Sequence, residues 1–452
     1  MESVQTQDRA SIRDVTAYLV CLLFVSAMGP LQFGFHLAEL NAPQEIITCE
    51  KKSIRETGQP KLPQCIPMNA TMFGLVSSIF TLGGLLGALA AGPCATRFGR
   101  LPTMRATTAF FVAGPLFAAL SSNVGLMAAG RFLAGLGAGA AVVVVPIFIS
   151  EVAPPKEKGV FGALTQVMIN VGILIAQLLG YFLSYGQYWR IILAVAGGLG
   201  LVQLAGLLIV PESPKWLADH GRAQKAKKSL RKIRGRDIDI EEEVSGWGAE
   251  NAEERDEEEE ALIDSRTDRR INSIVMYSVS LLSDLLKSNA ALLTVVVSAI
   301  NLVATVACAP LVDILGRKPC LLLSIAGMGI NALLIAVSII RAIPILSAVA
   351  TLFFVASFAI GLGPVPFILA SELVGPEAVG ATQSWALAAN WIATFLVAQF
   401  FPVLNSKLGK GKIYFLFAGL AALFFAFVVW WVPETKGKRD VDEVWGRERR
   451  DD

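Results

Sequence analysis

Few side chains in this sequence can do chemistry, and most of those are neutral amides set in apolar runs. Gln166 and Asn170 stand four apart in TQVMINVGILIAQLLG, so on a helix they share one face. Asn301 and Asn390 sit in two later apolar runs, and Trp391 supplies a flat apolar surface beside Asn390. A carboxamide is costly against lipid, yet to a hydroxylated ligand it offers a donor and an acceptor without charge. The plainer role is hydrogen bonding one helix to the next. Charge within the apolar runs is rarer: Arg131 is embedded in one and needs a partner there, and His36 and Glu39 stand at the end of another. With two histidines, His36 and His220, and no nucleophile with its base, phosphate loop or paired carboxylates, the pattern argues against an enzyme, a cofactor or a nucleic-acid partner. The six cysteines have no metal-ligand spacing; Cys49 and Cys65 share one loop, where a disulfide can form, and Asn69-Ala70-Thr71 is a glycosylation sequon.

The elements that must carry these residues are membrane helices. Of 452 residues, 54% are hydrophobic and 17% charged, and the mean hydropathy is +0.58, the composition of a multi-pass membrane protein. Apolar runs recur at 15–37, 71–92, 106–120, 124–149, 159–185, 191–210, 290–312, 320–340, 345–369, 381–403 and 413–432. Each is read as a spanning helix, the first as a retained span and not a cleaved signal. A further uncharged stretch at 271–283 is short of the roughly 20 residues needed to cross about 30 Å of hydrocarbon. Lys and Arg cluster at 97–105, 156–158, 215–236, 317–318 and 436–450, which the positive-inside rule assigns to the cytoplasm. That assignment requires an even number of crossings, so the charges ask the short stretch to cross while its length says that it cannot.

The chain also repeats itself. RFGR at 97–100 recurs in DILGRK at 313–318, SEVAPPKEKG at 150–159 as SELVGPEAVG at 371–380, and VPESPK at 210–215 as VPETKGK at 432–438, with offsets of 217, 221 and 222 residues. Three motifs in register predict two copies of a six-helix unit with a substrate site between them. The expected organisation is a cytoplasmic N-terminus (1–14), an N-terminal bundle (15–210), a linker (211–270) basic through GRAQKAKKSLRKIRGR and then acidic, a C-terminal bundle (271–432) and a cytoplasmic tail (433–452). Gly361, Gly363, Pro364 and Pro366 must break or bend the run that contains them. Gly83 with Gly87 and Gly135 with Gly139 have the spacing that lets helix backbones approach closely.

In LQFGFHLAELNAPQ, GRFLAGLGAG, PIFISEVAPP, TQVMINVGILIAQLLG, PESPKWL, GLGPVPFILASEL, the Asn390-Trp391 pair and VPETKG, the chain resembles the sugar porter family of the major facilitator superfamily over nearly its whole length. The resemblance implies an all-α membrane protein with the major facilitator fold, two six-helix pseudo-repeats and a truncated seventh helix. It also implies monosaccharide transport by alternating access, facilitative or with protons as a partner, by a monomer in a plasma or vacuolar membrane. Gln166, Asn272, Asn301 and Asn390 match the family's sugar-site positions, and Phe367 stands where the family commonly has tryptophan. In proton-coupled relatives an aspartate of the first helix meets the arginine; His36 occupies that position, with Glu39 a second candidate partner for Arg131. Arg100, Glu151, Lys158, Asp313, Arg317 and Glu372 match a cytoplasmic gate, and Gly361 to Pro366 a hinge. Leu101, Glu377 and Val379 stand where arginines are usual, which implies a weaker latch in the C-terminal half. The family's seventh helix has an inner half with two glutamines that is missing upstream of INSIVMYS, so a non-transporting sugar sensor, or an inactive variant, stays open beside the transporter.

Overall fold

A computed structural model describes residues 16–50, 62–154, 158–235, 290–375, 378–409 and 411–436, with positions 240, 244, 444 and 445. These residues form helices and no strand: α1 (Ala17–Ala38), α2 (Gln44–Ile47), α3 (Ala70–Phe98), α4 (Arg100–Ala119), α5 (Val124–Val152), α6 (Lys158–Leu183), α7 (Trp189–Leu207), α8 (Pro214–Asp219), α9 (Ala223–Arg234), α10 (Ala290–Leu315), α11 (Arg317–Ile340), α12 (Pro344–Ile360), α13 (Val365–Glu372), α14 (Val379–Leu408) and α15 (Ile413–Trp431). Among the described residues nine stretches are long and apolar enough to cross a membrane, with α12 and α13 counted as one. Helices α4 and α14, of 20 and 30 residues, have the length and a more polar composition. The short stretch 271–283 and the acidic part of the linker lie outside the described residues.

Local chemistry sets where the helices begin. Thr16, Asn69 and Asn123 cap α1, α3 and α5, their side-chain oxygens accepting from the backbone N–H groups of Leu19, Met72 and Leu126 at 3.1, 2.8 and 2.8 Å. Gly99 and Gly316 separate α3 from α4 and α10 from α11 at φ of 105° and 103°, a backbone region that only glycine enters freely. Pro30, Pro93, Pro115, Pro146 and Pro310 stand inside spanning helices. Neighbouring helices tolerate them because freed carbonyls can be satisfied inside the protein.

The N-terminal half packs α1, α3, α4, α5, α6 and α7 around a large core that includes Phe35, Phe80, Phe111 and Phe148, with smaller clusters around Trp189 and around Met168. The C-terminal half has two smaller apolar clusters, one around Met328, Phe354 and Tyr414 and the other around Cys320, Ile368 and Val428. Helix α3 packs on α14 and α6 on α10, so both contacts join the halves. At the end opposite Arg100 and Arg317, Cys49 and Cys65 form a disulfide. Arg190 at the start of α7 donates there to the carbonyls of Ala119, Ser121 and Pro63 at 2.6 to 2.8 Å.

Close approach depends on glycine. A Cβ at Gly83, Gly87, Gly135 or Gly139 would overlap a backbone oxygen of the facing helix, and so would one at Gly34 or Gly172 between α1 and α6. Overpacking a fitted interface costs about 1–3 kcal/mol or more. Gly172→Val is therefore expected to reduce the monodisperse peak of detergent-extracted protein in size-exclusion chromatography, whereas Gly198→Ala, where the added Cβ has no neighbour within 4 Å, leaves it unchanged.

Candidate functional site

Four uncharged side chains meet where α6 crosses α10. Gln166 Nε2 donates to Asn170 Oδ1 at 3.1 Å, Asn301 Nδ2 donates to the same oxygen at 3.2 Å, and Asn170 Nδ2 donates to Thr305 Oγ1 at 2.8 Å. The Thr305 hydroxyl donates to the Asn301 backbone carbonyl at 2.8 Å. All four residues are buried, and Asn301 Oδ1 is a buried acceptor with no protein donor. A second bond between the same helices runs from Ser298 Oγ to Gln177 Oε1 at 2.6 Å. The set can exchange hydrogen bonds with hydroxyls and has no group able to cleave a bond.

The break between α12 and α13 lies against this network. Residues 361–364 leave the helix, and a Cβ at Gly361 would overlap the Cys320 carbonyl oxygen. One at Gly363 would lie 3.1 Å from Cγ of Gln166. Pro364 caps α13 and Pro366 stands in its first turn, where a missing N–H costs little. The interruption expected from these four residues is present, and Gly363 lies against Gln166.

A separate buried cluster holds the charges. Arg131 of α5 donates from Nη1 to Glu39 Oε1 at 2.6 Å and to the His36 backbone carbonyl at 2.8 Å. Its guanidinium lies 4.4 Å from the centre of the Phe80 ring, a cation–π arrangement. The imidazole of His36 does not face the arginine: its Nδ1 is 3.1 Å from both Glu39 oxygens and the ring stacks on Phe111 at 5.7 Å. All three side chains are at most 2% exposed. Sequence left two partners open for Arg131, and the fold pairs it with Glu39 because Glu39 extends from the end of α1 while His36 turns toward α4.

Trp391 packs against α1 and α3. It is 2% exposed, with its ring edge-on to Phe33 and Phe80 at 5.5 and 5.7 Å, and the space beneath it exists because Gly84 has no side chain. Its Nε1 has no protein acceptor. The tryptophan thus spans the seam between α14 and the N-terminal half, while Asn390 beside it is half-buried. Toward the basic end the same seam tightens, where the Gly92 N–H meets Ser384 Oγ at 3.1 Å.

At the basic end the internal repeat becomes a repeated contact. Arg100 Nε and Nη2 reach Glu151 at 3.0 and 2.6 Å, and Arg317 Nε and Nη2 reach Glu372 at 3.1 and 2.9 Å. Glu372 is 26% exposed against 9% for Glu151, so water screens the second pair more. Thr435 donates to Glu372 at 2.6 Å. Glu212 accepts from the backbone N–H groups of Arg100, Leu101 and Ser213, and Glu434 from those of Arg317, Lys318 and Lys436. Each carboxylate thereby neutralises the positive end of the helix that follows the glycine turn.

Asn272 and Glu377 lie outside the described residues, and Lys158 and Asp313 fall in α6 and α10 with their side chains outside them. Of the remaining sequence candidates, Gln166, Asn170 and Asn301 come together, and Arg100 pairs with Glu151 and Arg317 with Glu372. Thr305, Glu212, Glu434 and Thr435 are additions. Glu212 and Glu434 were visible as the repeated Pro-Glu of VPESPK and VPETKGK, but their targets are backbone N–H groups, which leave no mark in a sequence.

With this geometry in hand, the comparisons decide the family. The profile described as Sugar (and other) transporter matches residues 22–445. The chain belongs to this family. It is 34% identical to a Saccharomyces cerevisiae protein described as Probable metabolite transport protein YBR241C, across 95% of this chain and 96% of that protein. It is 32% identical to the Glucose transporter GlcP of Staphylococcus epidermidis, across 84% and 89%. Its fold matches that of the proton:xylose symporter XylE bound to 6-bromo-6-deoxy-D-glucose, with a TM-score of 0.82 at 24% identity, covering 95% of this chain and 98% of that one. The chain is therefore a multi-pass membrane protein of the major facilitator fold and a family member of transporters, not of enzymes. The match to the yeast protein runs over 467 positions, more than the 452 residues of the whole chain, so parts of that relative have no counterpart here.

Burial is the main influence on the Glu212 carboxyl and holds its pKa above the ordinary 4.5, partly offset by the three backbone N–H bonds. The folded protein then binds this proton more tightly than the unfolded chain, so the Glu212 contribution is full below the ordinary value and is lost as pH rises through the raised one. The difference in melting temperature between wild type and Glu212→Gln, followed by differential scanning fluorimetry, is expected to move against the wild type as pH rises through that window. Glu212→Ala, which removes the cap, is expected to cost about 1–2 kcal/mol.

Proposed function

We propose that this chain moves a monosaccharide of the hexose class across a membrane by alternating access. The observation that carries the reading is the buried, uncharged network of Gln166, Asn170, Asn301 and Thr305 across the α6–α10 contact. It joins the two halves by groups that vicinal hydroxyls could replace one for one. Asn301 Oδ1, buried without a donor, would accept from a sugar hydroxyl; Asn390 and Trp391 would border the ligand from α14, and Asn272 would close it from beyond the described residues. Relatives whose names specify glucose and trehalose transport support a sugar as cargo. In this reading the bundles 15–210 and 271–432 rock as units about the linker 211–270, in a monomer of the plasma or vacuolar membrane.

The gate and hinge follow from the same arrangement. Arg100–Glu151 and Arg317–Glu372, with Lys158 and Asp313 beside them in the chain, would hold the basic end closed. Arg317–Glu372, whose glutamate is 26% exposed against 9% for Glu151, is more screened by water and would be the first pair to part in a gate that must open and close. Gly361 to Pro366 would absorb the bend, and because Gly363 lies on Gln166, a sugar that displaces Gln166 would shift the hinge directly.

Proton coupling would run through Glu39. With Glu39 ionised, Arg131 holds α5 to the end of α1; with Glu39 protonated, Arg131 keeps the His36 carbonyl and the Phe80 ring. His36 Nδ1 donates to the same carboxylate and would compete with the arginine for it. Glu39→Gln is expected to abolish the dependence of sugar uptake on a pH gradient while leaving exchange of sugar across the membrane intact; equal uptake with and without the gradient in the wild type would make the carrier facilitative.

One observation favours a second reading, a family member without transport. The uncharged stretch 271–283 is short, and the alignment with the yeast relative exceeds the chain's own length. Radiolabelled hexose uptake in carrier-deficient cells, with surface expression confirmed, separates the two. The proposal expects uptake by the chain as it stands and at least a tenfold loss in Asn170→Ala, which removes the amide at about 1 kcal/mol per hydrogen bond. Uptake only after a full seventh helix is restored would establish the sensor or inactive reading.

A further inference from the structure

Helix α9, AQKAKKSLRKIR, has 12 residues of which six are Lys or Arg and none is acidic. Like charges three and four residues apart on a helix repel one another, so an exposed cluster of this density invites a countercharge.

One side of α9 is fixed to the N-terminal half. Ala226, Leu230 and Ile233 are buried, and Arg234 donates to the Val152 and Ala153 carbonyls at the end of α5 at 2.8 and 3.3 Å. Thr16, the cap of α1, donates to the Ile233 carbonyl at 2.7 Å. Lys232 donates to the Ile209 carbonyl after α7 at 3.2 Å and lies 4.9 Å from the centre of the Tyr18 ring. These bonds fix which side of the helix faces away: Lys225, Lys228 and Arg231 are exposed, with Lys225, Lys228 and Lys232 at the i, i+3, i+7 spacing of one face.

The position of that face decides its partner. Leu208 and Ile209, 67% and 57% exposed, and Val20 and Phe24, 52% and 56% exposed, form an apolar strip next to the Lys232 and Tyr18 contacts. In a chain that spans a membrane such residues face acyl chains, and the cations beside them stand where hydrocarbon gives way to headgroups. The orientation is the one given by the Lys and Arg distribution, and the disulfide at the opposite end fits an oxidising compartment there.

We propose that the exposed face of α9, formed by Lys225, Lys228 and Arg231 with Lys232 at its edge, binds the headgroups of anionic phospholipids in the cytoplasmic leaflet. Because α9 is tied to α1, to the end of α5 and to the segment after α7, the lipid would anchor the N-terminal half and leave the other free to move against it. The inference does not depend on which substrate is carried.

The test uses the full chain purified in a neutral detergent and a short-chain fluorescent phosphatidylserine, followed by anisotropy at low salt. Three cations near an anionic surface together imply roughly a hundredfold difference in affinity, so K225Q/K228Q/R231Q is expected to bind about a hundredfold more weakly than the wild type. K225R/K228R retains the charge and is expected to bind as the wild type does. A phosphatidylcholine analogue and inorganic phosphate are expected not to compete. Equal binding by the triple variant would overturn the proposal, and so would displacement by inorganic phosphate alone. Binding that emerges only after deletion of the acidic run 241–260 would also overturn it, since the chain's own acidic segment would then be the occupant.

Discussion

Arg131 cannot be solvated where it stands. Removing one member of a buried ion pair costs about 3–5 kcal/mol because the remaining charge is left uncompensated, so a buried guanidinium dictates the positions of its neighbours. Here it draws in the Glu39 carboxylate, the His36 carbonyl and the face of Phe80. These groups belong to the end of α1 and the middle of α3, while Arg131 itself belongs to α5. The glycines at 83, 87, 135 and 139 let α3 and α5 come close enough for that arrangement, and Gly34 with Gly172 does the same for α1 and α6. Close packing and charge compensation therefore act together in the largest core of the N-terminal half.

The basic end shows a second economy of means. The same three-part device occurs twice: a glycine at positive φ, an arginine paired with a glutamate, and a second glutamate on the N–H groups of the next helix. Each copy ties a helix start to the end of another helix within its own half. Between the halves, contacts are of a different kind. Among the described residues they include neutral hydrogen bonds at Asn170, Ser298 and Ser384 and apolar packing at Trp391, which can separate without leaving an unpaired charge in a low-dielectric interior.

The sequence made much of this legible, for reasons that differ by residue. Gln166 and Asn170 were readable as one helical face because a four-residue spacing has a fixed meaning on a helix. The repeat of SEVAPP and SELVGP identified Glu151 and Glu372 with their arginines because charged pairs leave a residue-type signature at both ends. Thr305 and Glu434 escaped because one is a common small residue in an apolar run and the other bonds to backbone. Arg131 advertised the need for a partner, whereas the choice between His36 and Glu39 depended on which way each side chain leaves the end of α1.

Composition, periodicity and internal repetition thus determined by themselves that the chain is helical, crosses a membrane many times and is built twice over. Those properties follow from hydrocarbon thickness and helical geometry, which act on any stretch of sequence locally. Only the tertiary structure decided that Asn170 meets Thr305 across 135 positions of chain, that Gly363 rests on Gln166, and that Glu39 holds Arg131. Those contacts are set by the packing of whole helices, and no local rule of spacing contains the distance between two helices.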